Sequence, residues 1–171
     1  MSHISFTFKF SESMQIPEAA LIEREFLIRD MQLTKEVRMT KKSLIRWLAL
    51  SLGLISPNES RKTILDLLEA LFYYQFSENR DPDVHEMSSY IRENHGGEGV
   101  SEKTVLYHLL QLKNKGLIRR EKGRYSFSVS PYSEKGDVAS SIEYNYKSRS
   151  DVAFSKIQEA LRSLRKMYKP K

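Results

Sequence analysis

The stretch from Val105 to Phe127 reads VLYHLLQLKNKGLIRREKGRYSF, and it narrows the possible folds more than any other part of the chain. Stepping about 100° per residue from Val105 puts Leu109, Leu112 and Gly116 within roughly 40° of it, a single apolar face of a helix. Lys103, Tyr107, Leu110 and Asn114 fall on the opposite side, with Gln111 beside them. Ser101 is placed to cap this helix and Gly116 to end it. Two alternating segments follow, Leu117–Glu121 and Arg124–Val129, joined by Lys122-Gly123. A two-residue connection ending in glycine predicts a tight hairpin. A helix running at once into a short hairpin cannot bury both apolar faces alone, so other helices must cover them.

The remaining chain supplies candidates. Ile64, Leu65, Leu67, Leu68, Leu71 and Phe72 make a segment apolar almost all round, a helix buried on more than one side. Ser56-Pro57-Asn58-Glu59 predicts its start, with Ser56 as cap and Glu59 as capping-box acid, and it is expected to run to about Phe76. Asp81-Pro82 opens another helix, with Val84, Met87 and Ile91 inward and Gly96, Gly97 and Gly99 at its end. Before these, Thr40 caps a helix over 41–52 that Gly53 stops, and Pro17 begins a further expected helix reaching Arg38. The alternation of Ile4, Phe6, Phe8 and Phe10 predicts an N-terminal strand. Residues 131–149, rich in Ser and Tyr, read as a linker. A last amphipathic helix is expected from Ser150 or Asp151, with Ile157, Leu161, Leu164 and Tyr168 spaced 4, 3, 4 as a seam. The expected organisation is therefore an N-terminal strand and helices over 1–57, a compact domain over 58–130, a linker over 131–149 and a C-terminal helix over 150–171.

Charge is concentrated. Lys103, Lys113, Lys115, Arg119, Arg120, Lys122 and Arg124 give residues 101–125 a net charge of +5 against Glu102 and Glu121. Residues 147–171 carry +6 and the remainder −5, within an overall +6. Positive charge gathered in two segments points to a polyanionic partner. The chain has no cysteine, which excludes disulfides and Cys-ligated zinc and fits a cytoplasmic location. No apolar run approaches the ~20 residues that span a bilayer, and MSHISFTFKF lacks the features of a secretory signal.

Catalysis finds little support. His3, His85, His95 and His108 lack metal-ligand spacing, and His85-Glu86 has no second histidine four residues on. GGEGVSEKT differs from a phosphate-binding loop, because Glu102 stands where glycine must precede Lys103-Thr104. The expectation is a non-enzyme without metal or cofactor. His108 is expected to be a half-buried structural residue.

The order helix, helix, turn, helix, strand, tight turn, strand over residues 58–129 resembles a winged helix-turn-helix. VSEKTVLYHLLQLKNKGLIRREKGRYSF is similar to the recognition helix and wing of prokaryotic winged-helix transcription regulators of the broad ArsR-like, MarR-like and PadR-like kind. The HGGEG stretch makes the turn longer than usual, and the wing tip is short. The expected fold class is mainly α (α+β), a winged helix-turn-helix with an N-terminal extension and a C-terminal amphipathic helix. The resemblance implies binding to double-stranded DNA, a role in transcription regulation and a homodimer. Ser101, Lys103, Thr104, Tyr107, Gln111 and Asn114 would then face the major groove, and Arg119, Arg120, Lys122 and Arg124 the phosphate backbone or an adjacent minor groove. Two other readings stand beside it: an interaction module that binds a protein, which the apolar Leu110 suits, and RNA binding with Tyr107, Tyr125 and Phe127 as stacking rings. The C-terminal seam would either dimerise the protein or pack on its own helix over 59–76. An anionic membrane surface is a weaker option for a helix whose apolar side has no Trp and only Phe154.

Overall fold

The computed structural model describes residues 17–168, except 61, 97–99 and 135. The expected strand over residues 4–10 lies outside the described residues. Among the described residues the protein is mainly helical with one two-stranded antiparallel sheet. Single turns α1 (Glu18–Leu21) and α2 (Lys35–Arg38) precede α3 (Lys41–Ser51), α4 (Lys62–Phe72) and α5 (Val84–His95). Then come α6 (Glu102–Asn114), the hairpin of β1 (Ile118–Glu121) and β2 (Arg124–Phe127), and a 30-residue α7 (Val138–Met167). No helix among the described residues is long and apolar enough to cross a membrane.

α4 is the centre. It contacts α3, α5 and α6, and it buries Ile64, Leu67, Leu68, Ala70 and Leu71. Its all-round apolar sequence follows from having neighbours on three sides. α5 contributes Met87 and Ile91, α6 contributes Val105, Leu109 and Leu112, and the hairpin contributes Ile118, Tyr125 and Phe127.

Helix starts are set by local hydrogen bonds, and two are displaced from expectation. The sequence Ser56-Pro57-Asn58-Glu59 forms a turn instead of a helical start. Asn58 is left-handed (φ 64°), which breaks the helix, although the Glu59 carboxylate still accepts from the Ser56 N–H at 2.7 Å. α5 begins at Val84, after the cap Asp83, rather than at Asp81-Pro82, because Asp83 and Glu86 close a full capping box. Asp83 accepts from the Glu86 N–H at 2.9 Å and Glu86 accepts from the Asp83 N–H at 2.8 Å. Thr40 and Ser101 cap α3 and α6 as their positions suggest.

Two longer segments correct the sequence reading. Of the helix expected from Pro17 to Arg38 only the end turns α1 and α2 are helical, and residues 22–34 between them run without regular structure as a strap across the end of α3. The last carbonyls of a helix have no partner within it, and the strap supplies them. The Arg29 N–H donates to the Ser51 carbonyl at 2.8 Å, and its guanidinium donates to the carbonyls of Leu50 and Ile55. Trp47 Nε1 donates to the Gln32 carbonyl at 3.0 Å. The second correction concerns the expected linker. α7 begins at Val138, capped by Asp137, so most of 131–149 is helical. Val138, Ile142 and Tyr146, four residues apart, pack on the core, and serines dilute that stripe enough to hide it in the sequence.

Candidate nucleic-acid interface

α6 is oriented by its apolar stripe. Val105, Leu109 and Leu112 are buried, as the period requires, and His108 joins them more fully than expected, at 6% exposure. Lys103, Tyr107, Leu110 and Asn114 are exposed on the other side, with Gln111 half-buried at its margin. Ser101 and Thr104 sit at the N-terminus. The Ser101 hydroxyl accepts from the Thr104 N–H at 3.2 Å, so it is occupied as a cap. Gln111 ties its neighbours together: its amide donates to the Tyr107 hydroxyl at 2.9 Å and its oxygen accepts from His108 Nδ1 at 3.2 Å. This fixes the Tyr107 ring on the surface with its hydroxyl available to a further partner. Glu102 faces His85 of α5 at 3.0 Å, which joins the first turns of the two helices.

The hairpin divides its cations. Residues directly opposed in an antiparallel pair share a face. Arg120 opposes Tyr125, on the face that carries Ile118 and Phe127, and its guanidinium lies over the Tyr125 ring at 5.6 Å. Arg119 opposes Ser126 and Glu121 opposes Arg124, on the other face. Lys122 stands at the turn. The four hairpin cations therefore do not form one row. Two are also engaged: Arg119 donates to the Ser126 hydroxyl at 3.1 Å, and Arg124 donates to the Asp81 carbonyl at 2.7 Å and meets Glu86 at 3.3 Å.

Glu86 is thus a hub for the α5 cap, Arg80 and Arg124. Burial pushes its carboxyl up, but the Asp83 N–H and the Arg80 guanidinium outweigh that and hold it below the usual carboxylate range. Glu78 is lowered in the same way by the Tyr73 hydroxyl and Arg80.

Among the described residues, Lys103, Lys113, Lys115, Arg120 and Lys122 carry no ion pair. Lys113 is the residue the sequence reading passed over as a site. It lies about 80° from Val105 on the helix, at the flank of the outer face, exposed, beside Leu106. Tyr125 and Phe127 are buried at 4%, which leaves Tyr107 as the exposed ring of the three proposed for stacking. α6 contacts β1 directly, so the free cations of helix and hairpin belong to adjoining elements. Comparison with known proteins returned no match to any family model, curated protein or solved structure.

Proposed function

We propose that the chain is a winged-helix protein that binds double-stranded DNA and regulates transcription, with α6 as the reading helix and the β1–β2 hairpin as the wing. The observation that carries this reading is the outer side of α6. Lys103, Tyr107 and Asn114 are exposed there, and the adjoining unpaired cations Lys113, Arg120 and Lys122 come from the same flank and the next element. Phosphate contacts from the lysines and Arg120 supply affinity by counterion release, while Tyr107, Gln111 and Asn114 supply whatever base preference exists. Arg124, already held by Glu86 and Asp81, serves mainly to fix the hairpin.

One specific observation favours a second reading, a module that binds a protein: Leu106 and Leu110 are 41% and 55% exposed on α6. A duplex titration at several salt concentrations separates the two. About four phosphate contacts, from Lys103, Lys113, Arg120 and Lys122, give a log–log slope of roughly −4. Replacing Lys103, Arg120 and Lys122 with Ala should flatten that slope, whereas Arg124→Ala should act mainly on stability. Duplex binding absent at low salt overturns the proposal in favour of the protein module.

A further inference from the structure

α7 is held to the body by its first half only. Val138, Ile142 and Tyr146 pack on the core, and Arg149 donates to the Lys115 carbonyl at 2.9 Å. From Phe154 to Tyr168 every residue is exposed, and among the described residues the polar tie of this segment to the body is the Lys156–Glu23 ion pair at 2.8 Å. The seam does not pack on α4: Leu161 is 59% exposed and Tyr168 83%. An isolated helical segment this short is marginal in water, so its apolar stripe calls for a cover.

The shape of the stripe says what kind. Phe154, Ile157, Leu161, Leu164 and Tyr168 recur at 3, 4, 3, 4, the spacing of a two-helix seam, within about 80° of the helix, and Ala153, Ala160 and Met167 line one flank of it. We propose that the distal half of α7 pairs antiparallel with the same segment of a second copy of this chain. Setting Ile157 against Leu161 of the second copy, and Phe154 against its Leu164, fixes the register. In that register Asp151 falls opposite Arg165 on one flank, twice by symmetry. On the other flank Ala160 meets Ala160 of the second copy near the two-fold axis, allowing close approach. Met167 of the second copy then lies beside Ala153, where Leu21 and Ile22 stand exposed next to Ala153 and Lys156 and add to the cover. A parallel pairing would set Asp151 against Tyr146 and Arg165 against Ala160, with no ion pair. The segment is therefore complementary in charge to a second copy of itself in the antiparallel direction.

This inference does not depend on DNA binding, and its test omits DNA. Sedimentation of the full chain at micromolar to tens of micromolar concentration should show a dimer. Asp151→Arg or Arg165→Asp alone should weaken association about tenfold, and the two together should restore it. Since the chain has no cysteine, Ala160→Cys should cross-link on oxidation and Leu161→Cys should not. A monomer at every concentration overturns the inference. So does a dimer that cross-links through position 161, or one that the double reversal fails to restore. Binding of the monomeric chain to vesicles of anionic phospholipid would also overturn it and assign the seam to a membrane surface. A monomer that still binds duplex would leave the proposed function standing, and a dimer that ignores duplex would leave the pairing standing.

Discussion

Gly116 shows how one residue couples three elements. It ends α6 at φ +73°, a region costly for any residue with a Cβ. The space a Cβ would occupy is already taken by the Arg149 guanidinium. That guanidinium is the one bound to the Lys115 carbonyl, an end-of-helix acceptor. Gly116→Ala should therefore impose backbone strain and also dislodge Arg149. A loss of about 1–2 kcal/mol in urea unfolding is expected. In an Arg149→Ala background the same substitution should cost less, because the hydrogen bond is already gone; strict additivity would show that the guanidinium plays no part. The glycine's role as a helix stop was legible in the sequence, whereas its guanidinium neighbour, 33 positions on, was not. A close approach between distant residues leaves no trace in local pattern.

Among the elements, those defined by local chemistry were the legible ones. α6 and the hairpin were read almost to the residue because helix period, cap and turn all act within a few positions. The strap over 22–34 was misread because its bonds go to the end of another helix. The outer edge of β2 is a second case. Gln75, in the π-helical turn Tyr73–Ser77 that follows α4, donates to the Tyr125 carbonyl and accepts from the Phe127 N–H, covering backbone groups that would otherwise face solvent. No local feature of Gln75 announces that. Of the candidate site, the exposed side of α6 was readable by period, but the division of the hairpin cations between two faces and their engagement by Ser126 and Glu86 needed coordinates.

The hairpin turn offers a way to separate folding from binding. Lys122 and Gly123 both have positive φ, 49° and 82°. Asn tolerates that first position better than Lys. Lys122→Asn should thus stabilise the protein, by a few tenths to about 1 kcal/mol. It also removes a free cation, so under the proposed function it should weaken duplex binding and reduce the salt slope by about 0.9. Thermal unfolding and a salt-dependent titration of the same variant read the two effects. A variant that is more stable and binds duplex as before would remove Lys122 from the interface.

At the scale of the whole molecule, pH acts through carboxylates with opposite leanings. Glu86 is held below its ordinary range by the Asp83 N–H and Arg80 despite its burial, and it links the start of α5 to the hairpin through Arg124. A carboxyl lowered by folding stabilises the folded state above its unfolded value, and that stabilisation is lost as pH falls toward the folded value. Asp66 on α4 leans the other way. Burial raises it, and His95 at 3.6 Å only partly offsets this, so its charge is a cost that protonation relieves as the pH drops. Acid should accordingly weaken the α5–hairpin junction while easing the α4–α5 contact around Asp66. Glu86→Gln keeps an acceptor for the Asp83 N–H but surrenders the attraction to Arg80 and Arg124, so it should cost about 1 kcal/mol near neutral pH. As the pH is lowered from neutral to below the ordinary carboxylate range, the gap between variant and parent should narrow, because protonation of the parent's Glu86 removes the charge that glutamine lacks. Urea unfolding at the two pH values measures the difference, and a gap that persists undiminished in acid would show that Glu86 acts by packing rather than by charge.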